Sequence, residues 1–337
     1  MSSLLLRRLA WRAASWIPLA VAAALVTGCV KAPPVYRIGI LIGADTMSGM
    51  VESFEGRMTE MGYVAGRNIS YDTQKSNADP AGDKRIAARF AAEKVDLVFA
   101  FPGPTVGAVK AELQGTRIPI VFANSIVEGT GLVDSVRSPG GTITGVRNPG
   151  TELTLKSFES VVQLVPRPAR IMVIYDPSYP TTPAALERLR AEAASLHAAL
   201  QEVPVTRVQD TRAVLAGLEE SGDARMSAIL LLQDSIPRST ETVEVILQFA
   251  DAHRVPIAGG PEALVRSGGI VLSVAADAAE MGGLAASLAD QVLKGTPAGT
   301  ISVVSPQPHL YINYRKAVAL GLAVPDGLLK QAVEVIR

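Results

Sequence analysis

The chain has 337 residues, of which 48% are hydrophobic and 19% are charged, so it is long enough for two domains with apolar cores. Its formal net charge of +0 argues against a nucleic-acid-binding protein, which normally carries a basic field. A single cysteine excludes a disulfide framework and a cysteine-rich zinc module. Residues 1–28 contain three arginines, Arg7, Arg8 and Arg12, and no acidic residue, so residues 29–337 carry 32 acidic residues against 29 basic ones.

Residues 1–28 have the regions of a secretory signal peptide. The arginines form its basic region, and the apolar run 16–26 is shorter than the ~20 residues that a membrane span requires. The run ends in Leu25-Val26-Thr27-Gly28-Cys29, which resembles a bacterial lipoprotein box. We expect cleavage before Cys29, lipidation of its thiol, and residues 29–35 to form a lipidated tether that holds the protein at a membrane. The alternative is an uncleaved anchor with a buried, inert cysteine.

From Tyr36 onward, apolar runs typical of strands alternate with amphipathic stretches typical of helices, as in parallel α/β sheets. The first set comprises strand 37–42, a helix from 48 to about 62, strand 68–72, helix 80–94, strand 95–101, helix 105–113 and strand 118–123. The second set comprises helix 151–164, strand 170–175, helix 183–200, strand 202–208, helix 211–220, strand 228–232, helix 240–253, strands 255–258 and 270–274, and helix 278–293.

The two sets are separated by a break near Pro139-Gly140-Gly141, which predicts two similar α/β lobes. In such sheets ligands bind beyond the carboxyl ends of the strands. If the lobes face each other, the strand-end loops of both surround one cleft. The residues that follow the predicted strands are therefore the candidate binding residues.

In the first lobe, Gly103, Pro104 and Thr105 follow a strand and open a helix, whose free N–H groups and positive dipole end favour an anion such as a carboxylate. A plain helix cap by Thr105 explains the same pattern. Ser125 follows the next strand and offers another hydroxyl, or is simply a turn serine.

In the second lobe, residues 175–182 follow a strand and lead into a helix. Aromatic side chains there can form a wall for the ligand, while a threonine caps the helix. Asp234, at the end of an apolar strand, can pair with a ligand ammonium or cap a loop. The predicted binding residues of this lobe are Tyr175, Asp176, Tyr179, Thr181, Asp234 and, as weaker candidates of the same type, Glu262 and Asp277.

The patterns typical of enzymes are missing from the sequence. The histidines, His197, His253 and His309, are far apart and lack metal-ligand spacing. The chain has no G-x-S-x-G element, no phosphate-binding P-loop and no G-x-G-x-x-G after a strand. We therefore expect a protein without catalytic residues, metal or cofactor, although a nucleotide-binding enzyme remains a distant alternative.

Several blocks resemble the ABC-transporter substrate-binding family that includes the tryptophan- and tyrosine-binding lipoproteins. Together they cover essentially all of 36–337. The similar blocks are Arg37-Ile38-Gly39-Ile40-Leu41, the stretch 54–69 with Leu-Gly-Tyr-like Met61-Gly62-Tyr63, Thr116 to Phe122, Gly131 to Val146 with its Pro-Gly-Gly, and Ile312 to Pro325. In one departure, Ile126-Val127 stand where the family usually has Asp-Pro.

The resemblance implies a type-I periplasmic-binding fold, in which two Rossmann-like lobes with parallel sheets are joined by a multi-strand hinge that closes over the ligand. By analogy, the first lobe is 36–147 with 277–304 crossing back, and the second is 148–276 with part of 305–337. The implied partners are a small solute, with an aromatic amino acid as the leading candidate, and an ABC permease and ATPase. A monomer in the bacterial periplasm or at the cell surface is expected. A ligand-sensing module for a membrane receptor is the alternative.

Overall fold

The computed structural model describes residues 35–43, 48–77, 79–222 and 225–337. The predicted signal peptide, the predicted lipidation site Cys29 and most of the predicted tether lie outside these ranges. No helix within the described ranges is long and apolar enough to cross a membrane. The chain from Tyr36 onward folds into two α/β lobes, each built on its own sheet.

The first sheet is entirely parallel, with the strand order β2-β1-β3-β4-β5. Its strands are β1 (Tyr36–Ile42), β2 (Ile69–Lys75), β3 (Leu97–Phe101), β4 (Ile120–Ser125) and β5 (Ile143–Arg147). The central strand β3 reads LVFAF and is buried at every position, because helices cover both faces of the sheet. This explains why continuous apolar runs, without alternation, predicted these strands.

Three helices connect the strands of the first sheet: α1 (Ser48–Glu60), α2 (Pro80–Glu93) and α3 (Gly103–Glu112). Asp79 caps α2, since its side chain accepts a hydrogen bond from the Ala81 amide at 3.0 Å, and Pro80 follows in the first turn. The sequence prediction of this start is confirmed. Helix α3 begins at Gly103, two residues before the predicted start.

The second sheet has seven strands in the order β12-β11-β10-β9-β8-β6-β7. They are β6 (Arg170–Tyr175), β7 (Ala199–Pro204), β8 (Ala228–Leu231), β9 (Ile257–Gly259), β10 (Leu272–Ala276), β11 (Pro308–Asn313) and β12 (Ala332–Ile336). All neighbours are parallel except β10 and β11, which run antiparallel. The sequence predictions did not include β5, β11 and β12.

Helices cover both faces of the second sheet and fill the connections. They are α4 (Gly150–Leu164), α5 (Thr182–Ser195), α6 (Val208–Glu220), α7 (Thr240–His253), α8 (Glu262–Arg266), α10 (Tyr314–Ala319) and α11 (Asp326–Gln331), whereas α9 (Ala278–Leu293), between β10 and β11, packs on the first lobe. The predicted helix 183–200 and strand 202–208 are wrong at their shared boundary. His197 takes a left-handed backbone conformation (φ 54°), which ends α5 at Ser195 and lets β7 begin at Ala199.

The chain passes between the lobes more than once. It leaves the first sheet after β5, and it returns after β10, because α9 packs against α1 and belongs to the first lobe's core. Gly282 makes this contact close, since an added Cβ would lie 2.3 Å from the Met50 carbonyl oxygen. The Tyr63 hydroxyl also donates to Asp290 at 3.0 Å. The chain then crosses back through Val304, which bridges to Val146, and enters β11. The residue limits predicted for the lobes stay a prediction.

Candidate functional site

A cavity of about 410 Å³ lies between the two lobes and is called here the main cavity. One wall comes from α3 and the loop that follows β4, both in the first lobe. The opposite wall comes from the loop that precedes α5 in the second lobe. The lining residues are Gly103, Pro104, Gly107, Lys110, Asn124, Ile126, Thr130, Gly131, Leu132, Tyr179, Pro180 and Thr181.

A narrow cavity of about 10 Å³ adjoins the main cavity and shares Ile126 and Thr181 with it. This volume suits roughly one water-sized group. Most of its wall belongs to the second lobe. The lining residues are Ile126, Gly150, Thr151, Thr154, Thr181, Thr182, Ala185, Leu232, Gln233 and Asp234.

The first-lobe wall consists largely of one face of α3. Gly103, Gly107 and Lys110 are spaced four and three residues apart, so they lie on the same side of the helix. A Cβ added at Gly107 would meet no atom within 4 Å, which shows that this face opens into free space. Gly103 lies over Ser125, since its added Cβ would come within 3.8 Å of the Ser125 Cβ. The prediction that this helix start faces the cleft therefore matches the geometry for Gly103 and Pro104.

Thr105 and Ser125 support this wall from behind. Thr105 is buried within the first turn of α3, where its Oγ1 lies against Gly43, and it does not cap the helix. Ser125 is fully buried, and its hydroxyl donates to the Ala123 carbonyl at 3.0 Å. Neither residue is part of the cavity linings, so the structure gives them supporting positions.

Lys110 is a cavity residue that the sequence analysis missed. Its Nζ donates to the carbonyls of Gly131 and Leu132 at 3.0 and 2.9 Å, which ties α3 to the loop after β4. The signal was available in its spacing from Gly103, two helical turns along the same face. Lysines on helices are usually solvated, so the residue type itself does not indicate a binding role.

The second-lobe wall is the loop 176–181, and hydrogen bonds around Asp176 shape it. The Asp176 carboxylate accepts from the Ser178 amide at 2.8 Å, from the Ser178 hydroxyl at 2.6 Å, and from the Ser235 hydroxyl at 2.5 Å. Burial by itself would raise the pKa of Asp176, but these hydrogen bonds outweigh it and hold the pKa below its usual range. Asp176 thus orders the loop that presents Tyr179 and Thr181 to the main cavity.

Tyr175 faces away from both cavities. Its ring belongs to the core between the sheet and its helices, and burial together with the negative charge of Glu202 raises the pKa of its hydroxyl. The aromatic wall expected from Tyr175 and Tyr179 is therefore supplied by Tyr179. Side chains of successive strand residues alternate between faces, which leaves Tyr175 on the core side.

Asp234 lines the narrow cavity but is 2% exposed and already holds two main-chain amides. Its Oδ2 accepts from the Asp176 amide at 2.8 Å, and its Oδ1 accepts from the Ile236 amide at 2.9 Å. The carboxylate therefore joins the loops after β6 and β8. Its expected pairing with a ligand ammonium stays a prediction, and the observed contacts match the alternative of a loop-capping aspartate.

Glu262 and Asp277 are not among the residues that line the cavities. Glu262 lies at the start of the short α8 and pairs with Arg266 at 3.5 Å. Asp277 caps α9 through the Glu280 amide at 2.8 Å. Both carboxylates therefore have local structural partners.

Three helices begin at the two cavities without a side-chain cap. They are α3, α4 and α5, whose N-cap residues Pro102, Pro149 and Thr181 accept no amide through their side chains. The first N–H groups of a helix have no partner within it, and the dipole makes this end positive. Next to them, the Thr182 hydroxyl is buried without a hydrogen-bond partner. The site is thus equipped to receive an anionic or acceptor-rich group.

No metal-binding arrangement is found in the described ranges, since no group of three or more histidine, cysteine or acidic side chains comes together there. His253 pairs with Glu219 at 2.8 Å and His309 with Glu280 at 3.2 Å, on separate parts of the surface. The arrangement can bind and enclose a solute, and its described lining residues include no nucleophile paired with a base.

Residues 37–336 match the model of the family described as ABC transporter substrate binding protein. Among curated proteins, the chain is 25% identical over 290 residues to a tyrosine-binding protein of Clostridioides difficile, which covers 85% of this chain and 81% of that protein.

Solved structures of similar fold include the L-Trp complex of an ABC domain from Streptococcus pneumoniae, with a TM-score of 0.75 and 21% identity over 90% of this chain and 100% of that one. A ligand-free, open substrate binding protein with adhesive properties from Clostridium difficile has a TM-score of 0.72 and 20% identity, and covers 90% of this chain and 99% of that one. These likenesses show the two-lobed type-I periplasmic-binding fold.

Proposed function

The chain belongs to the family of ABC transporter substrate binding proteins, and we propose that it captures a small solute in the cleft between its lobes. The family and its structural relatives bind solutes and are not enzymes. Substrate binding proteins of ABC importers act outside the cytoplasmic membrane. The leading candidate ligand is an amino acid, with an aromatic side chain as one form, as in the tyrosine- and tryptophan-binding relatives.

The observation that carries the proposal is the meeting of three uncapped helix N-termini at one interlobe site. At α5 the Thr182 amide already donates to the Tyr179 carbonyl and Pro183 has no N–H, and the remaining N–H groups of the three helix ends offer hydrogen bonds to an acceptor group of the solute. The main cavity adds apolar walls, among them Ile126, Leu132 and Tyr179, which suit an aromatic or aliphatic side chain. Both lobes contribute, so the ligand can link them.

Closure follows from this shared lining. A ligand that contacts both walls binds the closed form better than the open form, and it shifts the equilibrium by the difference in its two affinities. Lobe closure then removes the ligand from water without a chemical step.

We further propose that Cys29 carries the lipid anchor, at the periplasmic face of a membrane or at the cell surface, and that the closed form delivers the solute to an ABC permease and ATPase. Uptake of labelled ligand by cells with and without the gene tests delivery. Unchanged uptake combined with tight binding would instead favour the sensing role.

The binding proposal is tested by thermal shift of the purified chain with each of the twenty amino acids. A bound ligand raises the melting temperature by mass action. We expect a rise with at least one amino acid, and a smaller radius of gyration by solution scattering when it is present. If no amino acid raises the melting temperature, the ligand class is wrong. If a ligand binds without compaction, the closure mechanism is wrong.

A further inference from the structure

Within the part of the chain that the structure describes, the main cavity is lined by one cation, Lys110, with no carboxylate beside it. Among its described lining residues, Lys110 is the charged one, and the remaining side chains are apolar, amide, hydroxyl or absent. Lys294 and Lys316, by contrast, pair with Asp290 at 2.9 Å and Asp251 at 2.7 Å. Lys110 therefore brings a net positive charge into the cleft.

The two hydrogen-bond partners of Lys110 leave its ammonium group one further donor. A lysine ammonium has three N–H donors, and in the described structure the carbonyls of Gly131 and Leu132 accept from it. These neutral acceptors orient Nζ but do not balance its charge. Because they hold the side chain beside the cavity, little of its conformational freedom remains to be lost on binding.

Closure of the lobes would make this charge costly. Enclosing the main cavity between Leu132 and Tyr179 removes water from Lys110, and an ammonium taken out of water needs a negative partner. The described lining supplies none, and a ligand that carries a carboxylate would supply this partner. The flat face at Gly107 gives the body of the ligand room to lie against α3 while its anionic end reaches Lys110.

We propose that Lys110 binds the carboxylate of the ligand and selects acids over the corresponding amides. This inference rests on the proposed solute-binding function and names a specificity-determining residue within the same site. Charge-assisted hydrogen bonds between an ammonium and a carboxylate are about twice as strong as neutral ones. The preference for an acid over its amide therefore depends on the charge of the ligand and not on its shape.

The test uses calorimetry to measure the binding of two acid–amide pairs of ligands to the wild type and to two Lys110 variants. The probes are L-tyrosine and L-tyrosinamide, together with L-tryptophan and its amide, which differ within each pair by the carboxylate. We expect wild type to bind the acids at least about tenfold more tightly than the amides. Lys110→Met should reduce the ratio to near one, and Lys110→Arg should restore much of it.

The ratio of acid affinity to amide affinity distinguishes a loss of loop support from a loss of ligand recognition. A purely structural role for Lys110 would weaken acid and amide equally and leave the ratio unchanged in Lys110→Met. Lys84→Met, on the exposed surface of α2, is the matched control and should retain the wild-type ratio.

An unchanged ratio in Lys110→Met, or a wild-type ratio near one, overturns the inference while leaving solute binding intact. If neither acid binds, the twenty-amino-acid panel supplies the acid and amide pair. Binding confined to uncharged solutes overturns both the inference and the amino-acid proposal.

Discussion

The two walls of the main cavity share a local design, a strand followed by a loop and the start of a helix, but their charges are arranged differently. On the first-lobe wall, small residues leave the backbone of α3 open, and Lys110 lines the cavity while its Nζ donates to the carbonyls of Gly131 and Leu132. On the second-lobe wall, Asp176 and Asp234 are buried and turned inward onto their own loops. One wall is therefore available to a ligand's charge, while the other uses its charges to hold its own shape.

The largest expected effect is that of Asp234→Ala on stability. The substitution leaves the buried amides of Asp176 and Ile236 without their acceptor, and each orphaned buried group costs about 1–3 kcal/mol. We expect urea denaturation to show a loss of about 2–4 kcal/mol in the free energy of unfolding. Asp251→Ala, at an exposed carboxylate, should lose less than about 1 kcal/mol. Full stability with lost ligand binding would instead make Asp234 a direct ligand contact.

The first-lobe wall should respond in affinity rather than stability. Gly107→Leu adds a side chain into the main cavity, and we expect calorimetry to show affinity falling by about a hundredfold or more. The fold should be kept, since leucine favours a helix over glycine by about 1 kcal/mol. Gly56→Leu on α1 is the matched control, because its added Cβ also meets nothing within 4 Å. Unchanged affinity in Gly107→Leu would place the ligand elsewhere.

The pH dependence of stability tests whether Asp176 is structural. Its pKa is lowered in the folded protein, so its ionised form contributes stability above the ordinary aspartate pKa of about 4, and this contribution is lost as the pH falls through the folded pKa. We expect Asp176→Asn to be less stable than wild type at neutral pH and to lose less stability on acidification below about pH 4. Parallel pH profiles for the two proteins would contradict this role.

The smallest effect on stability is expected where the first lobe leads into the second. There Arg147 contacts Glu128 of the first lobe and Glu152 of α4. These ion pairs are partly exposed, so Glu152→Gln should lower the free energy of unfolding by about 0.2–1 kcal/mol. Added salt should reduce the difference between variant and wild type. A loss above about 2 kcal/mol would show that the junction depends on this pair far more than its exposure indicates.

Continuous apolar runs and amphipathic periodicity were enough to predict most of the strands and helices. Strand Arg170–Tyr175 and helices Thr240–His253 and Ala278–Leu293 have the predicted bounds. The boundary between α5 and β7 was not predicted, because it depends on the left-handed backbone of His197, a residue type that only weakly indicates this conformation. Strands β11 and β12 were missed because they join the second sheet through pairing with distant residues.

The residues of the site divide in the same way. Gly103, Pro104, Tyr179 and Thr181 follow predicted strands, and they do line the main cavity. Asp234 follows a strand too, but the Asp176 amide from another loop and the Ile236 amide from its own loop occupy its oxygens. Lys110 was overlooked because its place beside the cavity depends on its bonds to the carbonyls of Gly131 and Leu132, which lie on a separate segment of the chain.

The sequence alone was enough to predict the α/β alternation, the two lobes and the position of the cleft at the strand ends. Apolar periodicity and turn residues act over a few neighbouring residues, so they can be recognised without the tertiary structure. The folded arrangement decided which polar groups face that cleft and which are consumed in holding it together. Partners such as the Asp176 amide for Asp234 and the Leu132 carbonyl for Lys110 come from segments that meet only after folding. Burial then determines whether a charged group bonds to the protein's own backbone or stays accessible to a ligand.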